Sequence, residues 1–151
     1  VVSTENHNEN RGALYLFNTE GTQLRKITNA SGKKNEFFGS SVATDGTMIV
    51  GGAVLHEDNG VAAGAAYVYH RNVAEPLFKL VPNDGAAIDL FGFSVAMDED
   101  YISVGATRNS NRNANVSGSV YTYWKNGTFD SKTIALQAEE DEQFGYSVAR
   151  Q

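Results

Sequence analysis

A six-residue segment recurs three times at one fixed interval, and this restricts the fold more than any other property of the chain. Phe38-Gly39-Ser40-Ser41-Val42-Ala43 returns as Phe91-Gly92-Phe93-Ser94-Val95-Ala96 and again as Phe144-Gly145-Tyr146-Ser147-Val148-Ala149. Each copy begins 53 residues after the last, and five of the six positions are the same in all three. Other landmarks keep step. Asp45 and Asp98 follow the motif, then come Gly52-Ala53 and Gly105-Ala106. A glycine-led aromatic segment, Gly64-Ala65-Ala66-Tyr67-Val68-Tyr69, is matched by Gly118-Ser119-Val120-Tyr121-Thr122-Tyr123, with an earlier copy at Gly12-Ala13-Leu14-Tyr15-Leu16-Phe17. Self-similarity at such a period marks a stack of like units, each unable to bury its apolar face alone.

Within one period the local patterns are all strand-like. Gly92 to Ala96 is a short apolar and polar stretch, and Tyr101-Ile102-Ser103-Val104 is rich in β-branched residues between acidic turn residues and Gly105. Val120 to Tyr123 and Lys132-Thr133-Ile134-Ala135-Leu136 alternate, which predicts four strands per period. Asp45-Gly46 and Asn126-Gly127 are dipeptides that tolerate positive φ and close tight hairpins. No window of eleven or more residues keeps a helical apolar face, so helix is expected to be nearly absent. A repeated four-stranded antiparallel unit of this length predicts an all-β fold of β-propeller blades. A sandwich gives no reason for a fixed period, and the coils of a parallel solenoid are roughly half as long or shorter. Phe38, Phe91 and Phe144, with Val42, Val95 and Val148 four positions on, are expected to fill the space between blades. Gly39, Gly92, Gly145 and the Gly-Ala pairs are expected where strands crowd or φ is unusual.

The repeat divides the chain into the end of a first unit at 1–36, complete units at 37–89 and 90–142, and the start of another at 143–151. A closed propeller takes at least about four blades. The 151 residues are therefore expected to be a slice of a longer polypeptide, or to complete their blades with neighbouring chains.

The order Phe-Gly-x-Ser-Val-Ala, an Asp-containing turn, an apolar strand ending in Gly-Ala, a polar loop and Gly-x-x-Tyr-x-Tyr resembles the FG-GAP repeat over essentially the whole chain. That resemblance implies the propeller of integrin α heads and of many secreted or surface proteins, and with it an extracellular or cell-surface structural and adhesive role. Calcium is the cation the family binds, in an Asp-x-Asp-x-Asp-Gly loop between the first two strands. The matching positions here depart from it: the first offers Asp45 alone, and the second crowds Asp98, Glu99 and Asp100 into a short turn. Asp98 and Asp100 are the remaining candidate metal ligands, and no cofactor is expected.

Charge and composition exclude some partners. Eighteen Asp and Glu against twelve Lys and Arg, with no basic cluster, argue against nucleic acid, and no stretch approaches the roughly eighteen apolar residues of a membrane-spanning helix. The chain has no cysteine, which removes thiol chemistry and disulfides. His7, His56 and His70 share no spacing suited to a metal or a catalytic triad and are expected to be solvated, as are the carboxylates of His56-Glu57-Asp58 and Glu139-Glu140-Asp141-Glu142. No catalytic residue is assigned. Asn29, Asn115 and Asn126 head Asn-x-Ser/Thr sequons in segments expected to be loops, where N-glycans could sit.

The Asn- and Gly-rich segments His56 to Ala63 and Arg108 to Ser117 differ between repeats and are the expected contact surface. The function expected is a non-catalytic module presenting these loops to protein or glycan partners, or to further copies of itself. The alternative is a lectin-like propeller using Tyr69, Trp124 and Phe129 to stack on sugars. A hydrolase ranks below both.

Overall fold

The computed structural model describes residues 1–29, 32–110, 116–137 and 139–151. Eleven strands form three antiparallel sheets among them. The first sheet has order β1-β2-β3 (Val2–Thr4, Ala13–Phe17, Gln23–Ile27). The second is β4-β5-β6-β7 (Phe38–Thr44, Met48–Ala53, Ala65–His70, Phe78–Leu80). The third is β8-β9-β10-β11 (Phe91–Met97, Tyr101–Ala106, Ser119–Trp124, Phe129–Thr133). Sequential strands neighbour one another in every sheet, as in propeller blades. The one helical turn, His7–Asn10, carries positive φ at Asn8 and Glu9 and is a tight loop rather than a helix.

Alternation along the strands builds two cores from one chain. In β6, Ala65, Tyr67 and Tyr69 face the first sheet and join Leu14, Ile27, Phe38 and Ile49. Ala66 and Val68, one step out of phase, face the third sheet and join Val50, Phe91, Val104 and Tyr121. Both faces of the second sheet are thus buried, because a strand sends successive side chains to opposite sides. Phe38 and Phe91 fill the seams between sheets, each against two tyrosines of its own blade at ring-centroid distances of 5.4–6.2 Å. Val95 is buried and Val42 half-buried, while Phe144 and Val148 are both half-buried.

The motif glycine has a specific task. Gly92 has φ of 89°, which begins β8 with a bulge, and its carbonyl runs so close to Gly52 that a Cβ there would lie 2.0 Å from the oxygen. Gly39 and Gly145 share this φ, at 88° and 89°.

The hairpins close where the dipeptides predict, at Asp45-Gly46 and Asn126-Gly127. One strand is displaced. The fourth strand of the third sheet runs Phe129–Thr133 rather than from Lys132 to Leu136. The tight turn obliges pairing to start at once, with the Trp124 amide donating to the Thr128 carbonyl at 2.8 Å and Tyr123 opposite Phe129. Of the alternating run only Lys132 and Thr133 pair, and residues 134–136 lie beyond the strand with Leu136 exposed.

Candidate functional site

Up-and-down strand order gives each blade two ends. One end carries the β4–β5, β8–β9, β6–β7 and β10–β11 hairpins. The other carries the loop at 54–64 and the segments 107–110 and 116–118, together with the linkers at 32–37 and 81–90 that lead into the next blade. This second, loop end holds two repeat-related clefts.

The first cleft, about 330 Å³, is lined by Lys33, Lys34, Leu55, Glu57 and Val61. The second, about 270 Å³, is lined by Asp84, Ile88, Arg108, Ser110 and Val116. The same backbone bonds build both: Leu55 N donates to Glu36 O at 3.2 Å and Arg108 N to Asp89 O at 3.2 Å, one period apart. The side chains differ, and the second loop is one residue longer. Val61 and Ile88, 65% and 53% exposed, meet at the seam, where the Ile88 amide donates to the Val61 carbonyl at 2.8 Å.

Beneath the first cleft lies a buried polar knot. His56, 5% exposed, places Nδ1 3.0 Å from Glu36 Oε1 and Nε2 2.9 Å from Asp58 Oδ2. Lys79 binds the same Asp58 carboxylate, and the Tyr67 hydroxyl lies 3.4 Å from Nδ1. Burial alone would lower the His56 pKa, but the hydrogen bonds to Glu36 and Asp58 outweigh it and raise it above the ordinary value. Lys79, and then His56, hold Asp58 down to about 2. The expectation that His56 is solvated is therefore corrected: a carboxylate from the linker and one from the loop clamp it from both sides.

The second knot uses other residues at the same positions. Asn109 replaces His56, donating from Nδ2 to Asp89 Oδ2 at 2.8 Å and accepting from Ser119 Oγ at 2.9 Å. Burial raises the Asp89 pKa, against hydrogen bonds from the Ala86 amide and Asn109. Lys132 and the Tyr121 hydroxyl bind Asp84 at 2.6 and 2.8 Å, and together they lower its pKa in spite of burial.

Chemically, the first knot is a poor proton-transfer site. Both ring nitrogens of His56 face carboxylates, so the imidazolium form is favoured and no lone pair is left to accept a substrate proton. Its counterpart in the next repeat is a neutral amide, which points to a fastener between linker and loop. Neither knot was found from local motifs. The signal was in the repeat itself, since Glu36 and Asp89, His56 and Asn109, and Lys79 and Lys132 each lie 53 residues apart.

At the hairpin end, one of the two candidate ligands, Asp98, is otherwise engaged. Asp98 accepts from the Asp100 and Tyr101 amides at 2.9 and 2.8 Å through Oδ1, and from Arg150 Nε at 2.6 Å through Oδ2. The Arg150 bond is the leading cause of its lowered pKa. Asp100 sits in the same turn, its carbonyl accepting from Lys125 N at 2.9 Å. Asp45 likewise caps its turn through the Thr47 and Met48 amides and pairs with Lys125 of the next blade. Among the described residues, no group of three or more His, Asp or Glu converges as a metal site.

The aromatic residues do not form one platform. Tyr69 is fully buried against Phe38, which corrects its place among sugar-stacking candidates. Trp124 and Phe129 are exposed, but Trp124 stacks on Tyr101 at 4.3 Å while Phe129 packs on Tyr123 at 5.7 Å, and adjacent strand positions put the two on opposite faces. Of the sequons, Asn126 is exposed in its hairpin, with Oδ1 accepting from the Thr128 amide at 2.9 Å. Asn29 is 5% exposed, so the expectation of a glycan there is corrected: its amide has no room for one in the folded chain. Asn115 lies outside the described residues.

No helix among the described residues is long and apolar enough to cross a membrane. A family model described as FG-GAP repeat matches residues 22–69 and 77–123, together more than half of the chain. No curated protein matches it.

Proposed function

The chain belongs to the FG-GAP repeat family, and from that premise we propose that this propeller-type module acts without catalysis, outside the cell, by offering its loop end to a protein partner. The carrying observation is the Val61–Ile88 pair. Two exposed aliphatic side chains are held together across a blade seam by a backbone hydrogen bond, with a cleft on each side. Exposed apolar groups with a polar surround are what a protein contact desolvates. Each cleft carries both signs of charge, Lys33 with Glu57 in one and Arg108 with Asp84 in the other, which suits polar contacts around an apolar centre. A rigid scaffold with side chains that vary at matching backbone positions suits recognition by shape. An extracellular location agrees with the usual setting of this family, and no cofactor or nucleic acid enters the reading.

The test is a screen of immobilised surface and matrix proteins beside a glycan array, with Ile88→Asp and Trp124→Ala as probes. A protein ligand lost at least tenfold in Ile88→Asp, with unchanged thermal stability, supports the reading. Sugar binding that depends on Trp124 and ignores Ile88 overturns it.

A further inference from the structure

Ile88 occupies a backbone conformation that suits it badly. Its φ is 70°, in the left-handed region where a β-branched side chain crowds its own main chain. The positions one period away on either side, Asn35 and Asp141, have φ of 63° and 61°, and asparagine and aspartate tolerate that region. A second left-handed position recurs at Phe37, Leu90 and Gln143, with φ of 56°, 57° and 58°. Phe37 and Leu90 are half-buried, so packing compensates them. Ile88 is 53% exposed, and the fold gives it no such compensation.

The surrounding chain holds the torsion in place. The amides of Ile88, Leu90 and Phe91 donate to the carbonyls of Val61, Ala62 and Ala63 at 2.8, 3.1 and 3.0 Å. Between them, Asp89 Oδ2 accepts from the Ala86 amide at 2.7 Å and from Asn109 Nδ2 at 2.8 Å. Strain that neighbours over-determine in this way clusters where ligands and partners are met.

The first seam shows what folding alone asks of these positions. There Glu9 stands in the place of Val61, Asn35 in that of Ile88 and Lys34 in that of Ala87. The Asn35 amide donates to the Glu9 carbonyl at 3.3 Å, Lys34 pairs with the Glu9 carboxylate at 2.8 Å, and Asn10 Nδ2 donates to Asn35 Oδ1 at 3.0 Å. Polar side chains complete that seam within the chain, whereas Val61 and Ile88 leave an aliphatic ridge open to solvent. In the cleft beside the ridge, the exposed Arg108 guanidinium has no carboxylate partner among the described residues. Asp84 is bound by Lys132, and Asp89 by Asn109 and the Ala86 amide.

We propose that Ile88 is a strained anchor for a partner, and that the partner is a protein segment carrying an aliphatic or aromatic side chain beside a carboxylate. The apolar side chain covers Val61 and Ile88, and the carboxylate takes the paired N–H donors of Arg108. This rests on the loop-end reading above and adds to it which residue selects the partner, and by what chemistry.

A displayed library of random peptides, panned on the immobilised 151-residue chain, tests it. Selected peptides should pair an apolar residue with a nearby Asp or Glu, and Arg108→Ala should weaken them without moving the thermal midpoint. Ile88→Asn installs the residue of the first repeat. It should weaken the peptides at least about tenfold while raising the midpoint by about 2–4 °C, because the strain is released as the anchor is lost. Asn is chosen over Asp because another carboxylate near Asp84 and Asp89 would offset that gain by repulsion. Ile88→Gly, which relieves the same torsion, keeps the test decisive if Asn makes contacts of its own. A midpoint that stays or falls in both variants overturns the proposal, as do peptides lacking the carboxylate or indifferent to Ile88. If indifferent peptides are still lost in Val61→Ser, the loop-end reading stands and only the anchor falls. Recovery of no peptide at all overturns both.

Discussion

The Ser41 hydroxyl donates to the Gly92 carbonyl at 2.7 Å, crossing from one blade to the next at the point where Gly52 leaves room for that carbonyl. Ser94 and Gly145 repeat the bond at 2.6 Å. A serine of each motif thus satisfies the carbonyl that the following motif pushes into the seam. Ser41→Ala leaves that carbonyl only the longer bond from Ser40 Oγ at 3.5 Å and is expected to cost about 1 kcal/mol in denaturant unfolding, with little change in the m-value.

The same seam forbids a side chain on its other wall. A methyl at Gly52 would sit 2.0 Å from the Gly92 oxygen, and one at Gly105 would sit 2.1 Å from that of Gly145. Gly52→Ala must force the sheets apart, and overpacking of this kind costs about 1–3 kcal/mol or more. Thermal unfolding should show a loss at least as large as that of Ser41→Ala. Gly46→Ala provides the contrast, because nothing lies within 4 Å of the added methyl and only the strain of φ at 89° is felt.

Phe91→Ala removes the ring that Tyr121 and Tyr123 enclose at 5.4 and 6.2 Å. A loss of about 3–5 kcal/mol is expected for a buried phenylalanine. The loss should be visible by calorimetry as a lower midpoint.

Alkaline pH should loosen the linker knot. Glu36, Asp58, Lys79 and Tyr67 all face His56, and the balance raises its pKa in the fold above 6.5. The stability this group contributes is complete below about pH 6.5 and is lost as pH rises through the raised folded value. His56→Asn, which installs the residue the next repeat uses, should flatten that limb. An NMR titration placing the His56 pKa below 6.5 would refute this.

On the acid side the signs reverse. Asp58 is held to about 2 by Lys79 and His56. Asp45 is also held to about 2, where burial is outweighed by Lys125 and the Met48 and Thr47 amides. Both contribute stability above about pH 4 that is lost as pH falls toward 2. Acid unfolding of Asp45→Asn should be shallower than that of the parent chain between those limits.

Much of the architecture was legible because it is periodic. A motif returning every 53 residues, with alternation inside it, requires equal sheets stacked face to face, and Phe38 and Phe91 had to enter the seams between them. Turn dipeptides placed the hairpins for local steric reasons. The fourth strand was misplaced because alternation is weak evidence beside the obligation to pair directly after a tight turn.

His56 shows where local reading ends. A histidine followed by Glu57 and Asp58 in a polar loop looks hydrated, and nothing nearby in sequence says that Glu36, twenty residues earlier, will close on it. The sequence by itself determined what is set by short-range sterics and repetition: strand type, turn position, blade period and family. The tertiary structure decided which charges are buried together and which loops meet at a seam. Those depend on distances between segments, which propensity does not encode and which the period marks only through matched positions such as Glu36 and Asp89.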